Sequence, residues 1–185
     1  MSALLEAKEV TKIYARAQHP SLNNVSFRVS KSEFIAVMGA SGSGKTTLLN
    51  VLSTIDTPTS GSITIDGVNI QSLTDSGAAD FRRDKLGFIF QEYLLLDSLT
   101  IFENIAVPLT LQKLPPKKIE NMVKSLAEAF GIDPQLHKYP NELSGGQRQR
   151  ASALRAIVKR PSILFADEPT GALDSSSATD LLNTL

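Results

Sequence analysis

The chain has 185 residues, 42% apolar and 21% charged, with 19 Lys plus Arg against 19 Asp plus Glu and no cysteine. That is one domain's worth of ordinary globular composition, without a basic field for nucleic acid, a disulfide framework, a thiolate metal cluster or a cysteine nucleophile. Glu6, Lys8 and Glu9 bring charge where a signal peptide needs its apolar stretch, and no run approaches the roughly 20 apolar residues that cross a bilayer, so any membrane role is expected to be borrowed from a partner.

Taken in chain order, the first third reads as β-rich. Leu4 to Val10, the alternating Val25, Phe27 and Val29, the apolar run Phe34 to Met38, and Ile63 with Ile65 are strand candidates, and Asp66-Gly67 is a hairpin signal. After Met38 a glycine-rich stretch leads into Lys45 to Leu52, whose Leu48, Leu49, Val51 and Leu52 fall at helical spacing. Leu86 to Phe90 is a further strand. Beyond Gln91 the pattern turns helical: Thr100 and Glu103 form a capping box, and Ile119, Met122, Val123, Leu126 and Phe130 make one helix face ending at Gly131. Residues 92 to 143 therefore read as a helical insertion in an α/β domain. Gly145 to Lys159 reads as a helix closed by Pro161, Ser162 to Phe165 as a buried strand, and Ser176 to Leu185 as a helix.

Three segments carry chemistry. Gly39, Ala40, Ser41, Gly42, Ser43, Gly44, Lys45 and Thr46 fit G-x-x-x-x-G-K-S/T between an apolar run and a helix. The glycines let backbone N–H groups turn toward phosphates, the helix N-terminus adds partial positive charge, Lys45 reaches the β- and γ-phosphates, and the Thr46 hydroxyl ligates Mg2+. Thr47 completes this candidate ATP-binding set. Ile163 to Glu168 is an apolar strand ending in two carboxylates. At the carboxyl edge of a parallel sheet such a pair faces the phosphate loop, with Asp167 on Mg2+ and Glu168 orienting and deprotonating the attacking water.

Ser144, Gly145, Gly146 and Gln147 open a helix as a capping box. Two glycines weaken a first turn by roughly 1 kcal/mol each relative to alanine, a cost that makes sense where backbone must approach an anion. The chain already has one phosphate loop, so the economical inference is that this second helix N-terminus serves a nucleotide held by another subunit.

Leu143 to Gln147, set between a phosphate loop and a strand ending in Asp167-Glu168, resembles the signature of the ABC ATPase family, and the resemblance runs over essentially the whole chain. It implies a P-loop NTPase core, a mainly parallel sheet flanked by helices, with an N-terminal antiparallel β subdomain and a helical insertion. It also implies that Gln91, after Gly87-Phe-Ile-Phe90, is the glutamine that senses the γ-phosphate, touches the metal and contacts the membrane partner. Asp174 belongs to a loop from Gly171 that approaches the nucleotide, and Tyr14 is placed like the aromatic that stacks on adenine. Two such subunits meet head to tail with ATP between Lys45 of one and Ser144 to Gln147 of the other, at the cytoplasmic face of the membrane, attached to a permease. Leu94, Leu95, Leu96, Leu99, Ile101 and Phe102 are apolar candidates for that attachment, half or more of them the insertion's own core.

Phe88 to Thr100, Lys138 to Arg150 and Phe165 to Asp174 look most like the branch serving lipoprotein release, macrolide efflux and antimicrobial-peptide export, the bacitracin type above all. The family continues to a switch histidine that neither His19 nor His137 represents. The expectation is one domain over 1–185, incomplete at its C-terminus and weakly active or inactive as it stands. Residues 1–91 and 144–185 form its catalytic core with the β subdomain, and 92–143 its helical subdomain. The rival readings are a cell-division-type ABC ATPase that regulates cell-wall hydrolysis without cargo, a soluble repair or translation ATPase, and a non-hydrolysing nucleotide sensor.

Overall fold

The computed structural model describes residues 3–15, 17–90 and 92–168. Gln91, Asp174 and the expected helix 176–185 lie outside the described residues. The chain divides into two compact units, one running to Arg82 and one from Arg83 onward.

The first unit is built on an antiparallel sheet of β1 (Leu5–Lys12), β2 (Leu22–Val29), β3 (Ser60–Ile65) and β4 (Val68–Asn69), in the order β2-β1-β3-β4. Leu5 and Ala7 point into the core with Ile63 and Ile65. Strict alternation would next bury Glu9. Instead Glu9 takes a left-handed φ of 50° and the register shifts, which turns Val10 inward at 0% exposure. A bulge thus keeps a charge out of the core at the cost of one irregular residue. The β3–β4 hairpin closes through Asp66 and Gly67, both at positive φ, as a two-residue turn of this sequence requires. Helix α1 (Lys45–Leu52) buries Leu48, Val51 and Leu52.

One expectation is corrected here. Phe34 to Met38 is not a strand: it joins neither sheet, and Phe34 and Met38 are 83% and 90% exposed. An apolar run states that a segment favours burial, but a strand also needs neighbours to take its N–H and C=O groups, and periodicity does not supply those.

Most of α2 (Asp75–Lys85) belongs to the first unit and its last residues, from Arg83, to the second, which then contains β5 (Leu86–Ile89), α3 (Ile101–Leu111), α4 (Pro116–Ala129), α5 (Gly145–Ile157) and β6 (Ile163–Ala166). Strands β5 and β6 pair in parallel, Leu86 against Ile163 through Ile89 against Ala166. This two-stranded ladder is the parallel part of the α/β fold among the described residues. Ala153 and Ala156 of α5 pack on Ile89.

Helices α3, α4 and α5 share one core. Ile101, Ile105 and Leu109 from α3, Ile119, Val123 and Ala127 from α4, and Ala151 and Leu154 from α5 are all buried in it, each large aliphatic side chain contributing about 1.5–3 kcal/mol. Met122, Leu126 and Phe130 complete the α4 face as partly buried neighbours. Among the described residues no helix is long and apolar enough to cross a membrane.

Candidate nucleotide site

In the first unit, the loop before α1 is shaped by Gly44. It sits at φ 94° as the N-cap, and a Cβ there would fall 2.3 Å from the Ser21 carbonyl oxygen. A side chain is therefore excluded twice, by the left-handed backbone and by contact with the chain entering β2. No side chain caps α1 and no acidic residue lies in its first turn. A helix N-terminus so arranged presents N–H donors and partial positive charge.

Lys45 reaches back across the loop. Its Nζ donates to the carbonyl oxygens of Gly39 at 2.9 Å and Ala40 at 3.0 Å. The ammonium thus lies over a loop whose residues 39–43 are all exposed, where a phosphate would meet it together with the α1 amides. Tyr14 lies just past β1 at 40% exposure, with the Lys12 ammonium 4.9 Å from its ring centroid.

In the second unit, the carboxyl ends of β5 and β6 lie side by side because the pair is parallel and in register. Asp167 follows β6 and its amide donates to the Ile89 carbonyl at 3.0 Å. Glu168 comes next, exposed, at a left-handed φ of 45°. A non-glycine residue held there costs on the order of 1–3 kcal/mol, and such residues cluster at functional sites. Stacked Phe88 and Phe165, 5.6 Å between centroids, stiffen the strand pair behind it.

The start of α5 matches the sequence reading. Ser144 Oγ accepts from the Gln147 amide at 3.3 Å, and Gln147 Oε1 accepts from the Ser144 amide at 3.0 Å. Gly145 and Gly146 form the first turn between them, with Ser144 exposed.

Sequence reasoning missed the residues that hold the loop after Gln91. Tyr93 and Leu94 both adopt positive φ, 60° and 47°. Ser152 Oγ donates to the Tyr93 carbonyl at 2.9 Å, and the Arg155 guanidinium donates to the carbonyls of Tyr93 and Leu94. Burial lowers the Arg155 pKa. Asn104, fully buried, accepts from the Leu96 amide and donates to the carbonyls of Leu96, Leu99 and Thr100. Its only sequence signal is a lone amide on the apolar face of α3, beside Ile101 and Ile105. His19 and His137 are exposed.

A glycine loop with a lysine folded over it, an uncapped helix behind it, and a second glycine-bearing helix start define a nucleotide-binding domain of the P-loop kind. A family model described as ABC transporter matches residues 22–171. The bacitracin export ATP-binding protein BceA of Halalkalibacterium halodurans is 54% identical over 185 residues, covering 99% of this chain and 73% of that protein. The ABC transporter ATP-binding protein YxdL of Bacillus subtilis is 50% identical, covering 100% and 72%. Among solved structures, the ATP-binding cassette MJ0796, a dimer in a post-hydrolysis state bound to ADP and Pi, superposes with a TM-score of 0.88 at 34% identity, covering 97% of this chain and 80% of that one. The chain belongs to the ABC transporter family, as an ATP-binding and ATP-hydrolysing subunit.

Proposed function

We propose that this subunit powers a bacterial exporter of antimicrobial peptides, or a resistance system against them, working in pairs at the cytoplasmic face of the membrane through a permease. The peptide cargo rests on its likeness to BceA, whose name records bacitracin export, and the pairing on the dimeric cassettes it resembles. Its domain is organised as a catalytic core over 1–91 and 144–185 with a helical subdomain over 92–143. Exposed Leu94 and Leu96, at 50% and 49%, supply an apolar contact for the permease.

The observation that carries the reading is that one chain has two helix starts suited to phosphate and a single phosphate loop. ATP bound by Gly39 to Thr47 of one copy, with Tyr14 against the adenine, then meets Ser144 to Gln147 of the other. Lys45 stabilises charge on the transferred phosphoryl group, Glu168 orients the attacking water and takes its proton, Gln91 senses the γ-phosphate, and Asp174 contributes to nucleotide binding. Loss of the γ-phosphate removes the contact between copies and lets them part.

The Thr46 hydroxyl, the Asp167 carboxylate and the Gln91 side-chain carbonyl are oxygen donors of the kind Mg2+ takes. Among the described residues no group of three or more His, Cys, Asp or Glu gathers, so a metal here would draw its remaining ligands from phosphate and water. Bound there, Mg2+ supplies neutralisation of phosphate charge.

Light scattering with phosphate release tests the scheme. Glu168→Gln is expected to form a dimer with ATP and to release phosphate at least about a hundredfold more slowly than wild type. Equal turnover in Glu168→Gln would overturn the base assignment, and a monomer under all conditions would overturn the shared site.

A further inference from the structure

The turn after α1 and the end of β1 form a cluster that the family assignment leaves unexplained. Lys12 Nζ donates to Asp56 Oδ1 at 2.6 Å and to the Thr57 carbonyl at 2.7 Å, while lying over the Tyr14 ring. Asp56 also accepts from the Thr57 amide at 2.7 Å, and its own amide donates to the Asn50 carbonyl of α1. Thr59 Oγ1 accepts from the Ile13 amide at 3.0 Å and donates back to the Ile13 carbonyl. Burial works to raise the Asp56 carboxyl, but Lys12, the Thr57 amide and the Tyr14 hydroxyl outweigh it and leave the group below the usual carboxylate range.

The segment Asp56 to Thr59 therefore holds Lys12, Ile13 and Tyr14 in turn. It does so from the far end of the helix whose first residue, Lys45, crosses the phosphate loop. One eight-residue helix thus has Lys45 and the glycine loop at its N-terminus and, past its C-terminus, the segment that anchors the Tyr14 ring.

We infer that Lys12 and Asp56 are positioning residues for the adenine platform, fixing the Tyr14 ring at a set distance from the phosphate loop and placing a cation on its face. The inference rests on the reading of Tyr14 as the base-stacking residue. A cation held against a tyrosine ring is attracted by its π-face, and salt-bridging Lys12 to Asp56 keeps the ammonium from wandering. Stacking then needs no reordering of the ring when a nucleotide enters, which lowers the entropy cost of binding. The cluster touches only the base end, so it discriminates ligands that carry a base from ligands that carry phosphates alone.

Calorimetric titration of the chain with MgATP and with magnesium tripolyphosphate tests this. Tyr14→Ala is expected to weaken ATP on the order of tenfold. Asp56→Asn and Lys12→Met are each expected to weaken it about fivefold, with tripolyphosphate affinity within about twofold of wild type in all three. Tyr14→Phe, which keeps the ring and the Lys12 contact, should retain most of the ATP affinity. If Tyr14→Ala weakens ATP while Asp56→Asn and Lys12→Met leave it unchanged, the positioning role is wrong and the stacking reading survives. If Tyr14→Ala itself leaves ATP unchanged, both fall. Equal weakening of ATP and tripolyphosphate in the Asp56 and Lys12 variants would show a general loosening of α1 and overturn the inference.

Discussion

Lys159 shows how a single half-buried charge ties stability to pH. It sits just after α5 and donates from Nζ to the Arg83 carbonyl at 2.7 Å, so its ammonium covers the last turn of α2, where the helix dipole favours a cation. Burial lowers its pKa from 10.5 to about 8; Asp84 opposes that shift and Arg83 adds to it. Below pH 8 both folded and unfolded chains hold the proton, and the burial penalty is constant. Between 8 and 10.5 the unfolded chain keeps a proton that the folded one has released, so stability rises with pH through that window. The unfolding free energy of wild type minus that of Lys159→Met should therefore climb between pH 7.5 and 10, by on the order of 1 kcal/mol once solvent around a half-buried group is allowed for. A difference that stays flat or falls, measured by denaturant titration, would show that burial does not govern this lysine.

At the scale of elements, helix starts were the most legible features, because a capping box is a local contract between residues three apart. Both Thr100–Glu103 and Ser144–Gln147 form as read. They have different uses, and one comparison separates them. Ser144→Ala and Thr100→Ala should each lower stability by about 1 kcal/mol through the lost cap. Only Ser144→Ala should also weaken ATP-dependent dimerisation in the Glu168→Gln background, since only that hydroxyl is proposed to meet a partner's nucleotide. Equal dimerisation in the two variants, read by light scattering beside thermal melts, would reduce Ser144 to a cap. The hairpin at Asp66-Gly67 and the α4 face were legible for the same local reason. What was not legible is non-local. The shift that leaves Glu9 exposed and buries Val10 depends on pairing with β2 and β3, and the failure of Phe34 to Met38 to enter a sheet depends on strands elsewhere in the chain. The pinning of Tyr93 and Leu94 depends on Ser152 and Arg155, about sixty residues away. The glycine loop before α1 and the capped start of α5 could be read because each fixes both residue type and spacing. Asn104 could not, since a buried amide declares its role only when the carbonyls around it are in place.

At the scale of the whole molecule, the candidate ATP contacts are divided between the two units: Tyr14 and Gly39 to Thr47 in the first, Ser144 to Gln147, Asp167 and Glu168 in the second. That division lets binding at the phosphate loop be told apart from a nucleotide shared between copies. A ligand present at about 100 times its dissociation constant stabilises the state that binds it by about 2.7 kcal/mol. If ATP touches only the phosphate loop, the gain is independent of protein concentration, and slowed amide exchange is confined to the loop, α1 and residues 12–14. If ATP joins two copies, the gain grows with protein concentration, and the amides of Gly145 to Gln147 slow as well. We expect the second pattern for Glu168→Gln with MgATP, where turnover cannot dissolve the dimer, and the first for the same protein with MgADP, which lacks the γ-phosphate. Lys45→Ala should erase both, because the contact to the β- and γ-phosphates is lost at the first step. Slowed exchange at Gly145 to Gln147 with ADP, or none there with ATP, would break the link between the γ-phosphate and the second helix start on which the proposed cycle depends.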